Sequence, residues 1–165
     1  MGRHLRRRGL VGRQADAAAL RLPGGGDRGA VRPAKEPRVI IAVTGGRTFS
    51  ERRLAFRSLD EVDVVLGGIC GLVEGGASGL DTFAREWAVE RGVPFETMPA
   101  DWRRWGKAMA GRARNQDMLR RWRPFALVAF EGNEGTADMV ERAGLARIPV
   151  IHATANGLVM PASLQ

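Results

Sequence analysis

Cysteine and histidine are scarce in this chain, and long apolar runs are missing. Its 165 residues include one cysteine, Cys70, and two histidines, His4 and His152. A lone cysteine closes no intrachain disulfide, and one thiol with two imidazoles is a poor set for a structural zinc. No apolar stretch approaches the ~20 residues that cross a bilayer as a helix. The first thirty residues carry arginines but no continuous apolar core, which argues against a secretory signal. These absences predict a cytoplasmic protein with no metal, no other cofactor and no membrane partner. Two phosphate-binding motifs are absent as well. No glycine lies five positions before Gly106-Lys107, so there is no P-loop. The first strand runs into Gly45-Gly46 and not into G-x-G-x-x-G, so ordinary dinucleotide binding is not indicated.

Charge is unevenly spread along the chain. The net charge is +8, yet residues 1–36 alone hold nine Lys and Arg against three Asp and Glu. The remainder holds 17 against 15, close to balance. Residues 1–37, rich in Arg, Gly and Ala and containing Pro23-Gly24-Gly25-Gly26, have no core-forming pattern and are expected to be a disordered extension. Weak, salt-sensitive contact with nucleic acid phosphates is the one partner such a basic stretch suggests.

After Pro37 the character changes. Val39-Ile40-Ile41-Ala42-Val43 is a β-branched run, the pattern of a strand buried on both faces of a parallel sheet. A turn and a helix follow, with Ala55, Leu59 and Val62 on one stripe. Ile69–Val73 is a second strand ending at Glu74. Leu80, Phe83, Ala84, Trp87 and Ala88 fall on one face of the clearest helix, with Gly92 as its cap and Pro94 as its stop. Phe95–Met98, Phe125–Phe130 and Pro149–Ile151 are further strands, separated by helices over Ala113–Trp122 and Ala137–Ala146. The alternation predicts an α/β domain: a Rossmann-like parallel sheet of about five strands with helices on both faces. It spans residues 38–155, leaving 156–165 as a tail.

In such sheets ligands bind outside the carboxyl ends of the strands, where the strand order switches. Three strands end there in glycine turns that lead into helices: Thr44-Gly45-Gly46-Arg47, Gly75-Gly76-Ala77-Ser78-Gly79 and Gly132-Asn133-Glu134-Gly135-Thr136. Glycine lets backbone approach a ligand closely, and helix starts offer free N–H donors to an anion. Arg47 can clamp a phosphate, or be a solvated loop arginine. Asp81 in the first turn of its helix suits the dipole with or without a ribose to contact. Thr136 can cap a helix, bond a phosphate oxygen, or do both. Asp101 and Trp102 end the third strand at the crevice, where the ring can stack on a base or pack against protein. Glu74 at the end of the second strand can touch a ribose hydroxyl or be a turn residue, Trp87 belongs to the core face of its helix, and His152 is assigned no catalytic role.

Taken in order, Val43-Thr44-Gly45-Gly46-Arg47, Gly75-Gly76-Ala77-Ser78-Gly79-Leu80-Asp81, Ala100-Asp101-Trp102, Arg114-Asn115 and Gly132-x-x-Gly135-Thr136-Ala137-Asp138-Met139 resemble the small YspA/YpsA-related branch of the SLOG superfamily. The resemblance implies kinship with the LOG phosphoribohydrolases and with the DNA-processing protein DprA. It also implies a bacterial or phage source, a nucleotide-type small molecule as partner, and a homodimer or higher homo-oligomer. On its strength the ligand or phosphate set is Thr44, Gly45, Gly46, Arg47, Gly75, Gly76, Ser78, Gly79, Asp81, Asp101, Asn115, Gly132, Gly135 and Thr136. Arg114 and Asp138 are the catalytic candidates. The pattern departs in places. The branch usually shows P-G-G-x-G-T where this chain has Glu131-Gly132-Asn133-Glu134-Gly135-Thr136, and H-G-G-A-R-G-A-D where it has Glu74, Ser78 and Leu80 in place of His, Arg and the second Ala. LOG-type hydrolases carry a glutamate where Met139 stands.

The expected function is binding or sensing of a nucleotide or nucleotide-derived phosphate ligand at these loops. One alternative is a LOG-like hydrolase cleaving the N-glycosidic bond of nucleoside monophosphates. Its chemistry needs carboxylates to activate water and to stabilise an oxocarbenium ion, and Met139 cannot supply one. A second alternative is DprA-like binding of single-stranded DNA, which would use a basic groove and stacking aromatics.

Overall fold

The computed structural model describes residues 39–165; the expected extension, the tail arginines included, lies outside the described residues. Six strands form one sheet: β1 (Val39–Thr44), β2 (Ile69–Glu74), β3 (Phe95–Thr97), β4 (Ala126–Ala129), β5 (Val150–Thr154) and β6 (Gly157–Val159). Their order is β3-β2-β1-β4-β5-β6. All neighbours pair in parallel except β5 and β6, an antiparallel hairpin closed at Thr154 and Gly157. The chain therefore runs outward from β1 in one direction through β2 and β3, then returns to lay β4 on the other side of β1. That reversal is the switch point at which the carboxyl ends of a parallel sheet leave a crevice.

Four helices cover the sheet: α1 (Arg52–Val65), α2 (Leu80–Arg91), α3 (Trp102–Trp122) and α4 (Glu134–Leu145). The pleat sends successive side chains to opposite faces, and the core divides accordingly. Ile41, Val43, Leu72, Ala126, Val128 and Ile151 meet Ala55, Leu59 and Val62 of α1 and Leu80, Ala84 and Trp87 of α2. Ala42, Val73 and Leu127, on the other face, meet Met118 and Leu119 of α3 and Met139 and Ala143 of α4. The stripes expected on α1 and α2 are those that are buried. Truncating a wholly buried Leu59 or Leu80 to Ala would cost about 2–5 kcal/mol. Trp87 is buried to 1% exposure and donates its Nε1–H to Asp60 at 2.9 Å, a satisfied core tryptophan.

Two helices begin earlier than their sequence patterns indicate. α3 starts at Trp102, not near Ala113, because Asp101 caps it by accepting from the N–H of Arg104 at 3.0 Å. Its first turn is set off by Gly106, whose φ of 66° and ψ of 174° interrupt the helix. α4 starts at Glu134 because Asn133 caps it, accepting from the N–H of Gly135. Gly132–Thr136, expected as a loop, is thus partly helix, and Thr136 is a first-turn residue and not the cap. Beyond Thr154, β6 and a 3-10 turn over Ala162–Leu164 continue the domain, with Leu158, Met160 and Leu164 packed against the first core. No helix among the described residues is long and apolar enough to cross a membrane.

Candidate functional site

The three glycine turns meet at the switch point and are bonded to one another. Gly46 donates its N–H to the carbonyl of Glu131 at 2.8 Å, and Phe130 donates to Thr44 at 2.9 Å, joining the turns after β1 and β4. The turn after β2 is tied in by Leu80, whose N–H reaches the Gly46 carbonyl at 3.2 Å, and by Ser78, whose hydroxyl donates to the Arg47 carbonyl at 3.1 Å.

Most of these glycines have a packing reason that needs no ligand. A Cβ on Gly45 would lie 2.2 Å from a methyl of Leu80, and one on Gly46 3.2 Å from the Glu131 carbonyl. Gly79 has φ of +72° and backbone of Gly46 and Arg47 within 2.7 Å of its absent Cβ. Gly76 is also at φ +72°, against Thr97, and Gly132 lies against the hydroxyl of Thr136. Gly75 is the seat of the Arg114 guanidinium, which a Cβ would displace. Gly135 alone of the seven looks onto open space, its nearest neighbour being Asn133 Oδ1 at 3.6 Å.

Arg47 stands in the wall of three adjoining hollows on the α3/α4 side of these turns. The innermost, of about 80 Å³, has Thr44, Gly45, Asp81, Arg114, Asn115 and Thr136 around it, with Met118 and Met139 as apolar floor. A chamber of about 860 Å³ lies toward Trp102, Lys107, Arg112, Glu134 and Gly135. A third, of about 260 Å³, lies toward Gly75, Gly76, Ser78, Pro99, Ala100, Trp102 and Arg114.

The polar side chains of the crevice divide into committed and uncommitted groups. Asn115 is committed. Its Oδ1 accepts from Arg114 Nε at 3.0 Å, and its amide donates to the Gly135 carbonyl and to Asp138 Oδ2 at 2.9 Å. Asp138 also accepts from Arg142 Nε at 2.8 Å, and Arg112 is 3.8 Å from its other oxygen. Partial burial disfavours its charge, but the bonds from Arg142 and Asn115 outweigh this and hold its carboxyl below the usual range. Glu74, wholly buried, accepts from Gly76 N–H, Thr97 Oγ1 and Arg85. Asp101 is the exposed cap of α3, outside the walls of the hollows.

Asp81 serves its own loop through one oxygen, Oδ2, which accepts from the N–H groups of Gly75 at 3.2 Å and Ala77 at 3.0 Å. Burial pushes its carboxyl up to about 6; the bond from Ala77 opposes the rise, the charge of Glu74 adds to it, and Arg114 opposes it.

Three groups among the described residues lack a partner: two guanidiniums have no carboxylate and one hydroxyl has no hydrogen bond. Among the described residues, neither Arg47 nor Arg114 has a carboxylate oxygen within 4.0 Å, whereas Arg52, Arg85, Arg91, Arg112 and Arg142 all do. The Arg47 guanidinium rests over the Trp102 ring, 5.5 Å from its centroid. Arg114 donates to the Met98 carbonyl at 3.3 Å, and burial lowers its pKa from the ordinary arginine value despite the nearby charges of Asp81 and Glu74. The third group is the Thr136 hydroxyl, buried at 8% exposure and without a hydrogen-bond partner. A buried hydroxyl left unbonded costs about 1–3 kcal/mol.

Sequence reasoning missed the cap Asn133, which lines three hollows including a fourth on the far side of the turns. It also missed Lys107 and Arg112, which carry no motif of their own.

A parallel α/β domain with strand order 3-2-1-4-5, a sixth antiparallel edge strand and an open crevice at its switch point is a Rossmann-like architecture. Residues 39–105 match the family model YAcAr, described as the YspA, cpYpsA-related SLOG family, and over that stretch the chain is similar to it. The match takes in β1 to β3, the first two glycine turns and the Asp101-Trp102 pair. Arg114, Asn115 and the third turn lie beyond it. No curated protein matches the chain.

Proposed function

We propose that the crevice binds a nucleotide or nucleotide-derived phosphate ligand. The observation that carries this is the convergence of two unpaired guanidinium groups, Arg47 and Arg114, on a recess with the unbonded Thr136 hydroxyl in its wall. An anion accepting from both would give each guanidinium the anionic partner it lacks, beside the bonds Arg114 already makes to Asn115 and to the Met98 carbonyl. The charge layout supports the same reading. Residues 102–123 hold eight Lys and Arg against one Asp, while the rest of 39–165 holds eight against 14. The near-balance of the domain thus conceals a basic α3, of which Lys107, Arg112 and Arg114 line the crevice, beside an acidic remainder. A thermal-shift screen of nucleoside mono-, di- and triphosphates and ADP-ribose tests the proposal, because a ligand that binds only the folded state raises its melting temperature. At least one probe should raise it, and the rise should vanish in Arg47→Ala. A rise that survives Arg47→Ala would put the site elsewhere.

One observation favours a second reading, hydrolysis of an N-glycosidic bond. Asp81, with a carboxyl pushed up to about 6, sits beside Arg114, and a group near neutrality is what proton transfer requires. Against it, Met139 is an apolar thioether at 1% exposure, and Asp138 is held ionised by Arg142. Incubation with nucleoside monophosphates should release no ribose 5-phosphate; release abolished by Asp81→Asn would favour the enzyme.

A further inference from the structure

Trp102 and Trp105 are 45% and 46% exposed, whereas Trp87 is buried to 1%. A large ring left half in water forgoes much of the free energy of burial. Trp102 alone of the two belongs to the crevice, standing in the wall of both outer chambers. It is fixed there from two sides. The Asp101 cap holds the turn that carries it, and the Arg47 guanidinium covers its ring. Gly106 separates that turn from the rest of α3, and a Cβ there would touch nothing within 4 Å.

Arg47 thus joins two functions. It faces the recess of Arg114 and Thr136, and it touches the aromatic surface next to that recess. A molecule whose phosphate reached Arg47 would have its next rigid portion against Trp102.

We propose that Trp102 is a base-stacking residue, so that the crevice takes a nucleoside phosphate with its base attached in preference to a plain sugar phosphate. This rests on the reading of the crevice as a phosphate site and names the class of ligand it selects. Stacking on an aromatic side chain tolerates any base, because every base has a π-face. Selection is therefore for the presence of a base rather than for its identity.

Calorimetry on the full chain tests it with AMP, GMP, CMP and UMP against ribose 5-phosphate. The expected result is that at least one nucleotide binds roughly tenfold or more tighter than the sugar phosphate. Trp102→Ala should bring that nucleotide down to the affinity the same variant shows for ribose 5-phosphate. Trp102→Phe should keep most of the advantage, and Trp105→Ala all of it. Since the ring is half exposed, circular dichroism should show both Trp102 variants folded. A nucleotide advantage that survives Trp102→Ala, or equal binding of all five probes to the parent protein, overturns the stacking role and leaves the phosphate site standing. Failure of all five to bind would overturn the stacking role, and a wider nucleotide screen without any melting shift would overturn the phosphate site with it.

Discussion

Two hollows flank the switch between β1 and β4, and they share backbone but not chemistry. The crevice on the α3/α4 side has Arg47, Lys107, Arg112 and Arg114 in its walls. The hollow on the other side, of about 760 Å³, is bounded by Thr48, Ser50, Glu51, Glu131, His152 and Thr154, with no Lys or Arg. Gly46 and Gly132 border the second hollow, and Asn133 borders both. Glycine turns at strand ends are shared by both sides, while Arg47 and the side chains of α3 make only one of the two hollows cationic. The glycines alone would not distinguish the two sides.

The strongest way to break this comparison is to remove the cations from the crevice. Arg47→Ala and Arg114→Met should each weaken a bound nucleotide by ~1.5–3 kcal/mol, roughly ten- to a hundred-fold, and together put binding beyond calorimetric detection. Glu51→Gln and Glu131→Gln in the opposite hollow should leave the affinity within about twofold, as for charges that make no direct contact.

Gly135→Val sharpens the comparison by shape. The space beside Gly135 is open, so the variant should melt near the parent temperature while its side chain fills room on the crevice side and weakens nucleotide binding about tenfold or more. Gly45→Val meets Leu80 instead and should lower stability by about 1–3 kcal/mol, the usual cost of overpacking. Denaturant unfolding of both variants separates a ligand-facing glycine from a packing glycine.

A smaller effect comes from Asp81 at the base of the crevice. Its folded value of about 6 lies above the ordinary 3.8, so between those values the native state holds a proton that the unfolded chain releases. Stability should therefore rise as pH falls from 7 to 5 and lose that increment as pH climbs back through 6. Asp81→Asn, which keeps an acceptor for Gly75 and Ala77, should flatten the urea midpoint across this range. Asp138, held low, loses its contribution only below about 3.8 and leaves the window clear.

The sheet and the first two helices were legible because burial writes itself into sequence as periodicity. The β-branched run buries Ile41, Ala42 and Val43, and the Leu80–Ala88 stripe buries Leu80, Ala84, Trp87 and Ala88, with Val39, Ile40 and Phe83 partly buried. The start of α3 was illegible for the converse reason. Residues 101–109 are all exposed, so no apolar spacing marks the Trp102–Trp105 turn, and only the Asp101 cap announces it. The glycine turns and Arg47 could be found from chain order. The commitments of Asn115 and Asp138 could not, since the bond between them joins α3 to α4 across 23 positions. The basic character of α3 escaped notice because charge summed along the chain cancels what the fold segregates.

The most direct measurement is amide chemical-shift mapping on titration with the tightest nucleotide. The expected result is that Arg47, Gly75, Gly76, Gly135, Thr136 and Trp102 move, while His152 and Thr154 stay in place. Shifts confined to Thr48, Ser50, Glu131, His152 and Thr154 would place the ligand in the cation-free hollow and contradict the assignment of the anion site to the α3/α4 side.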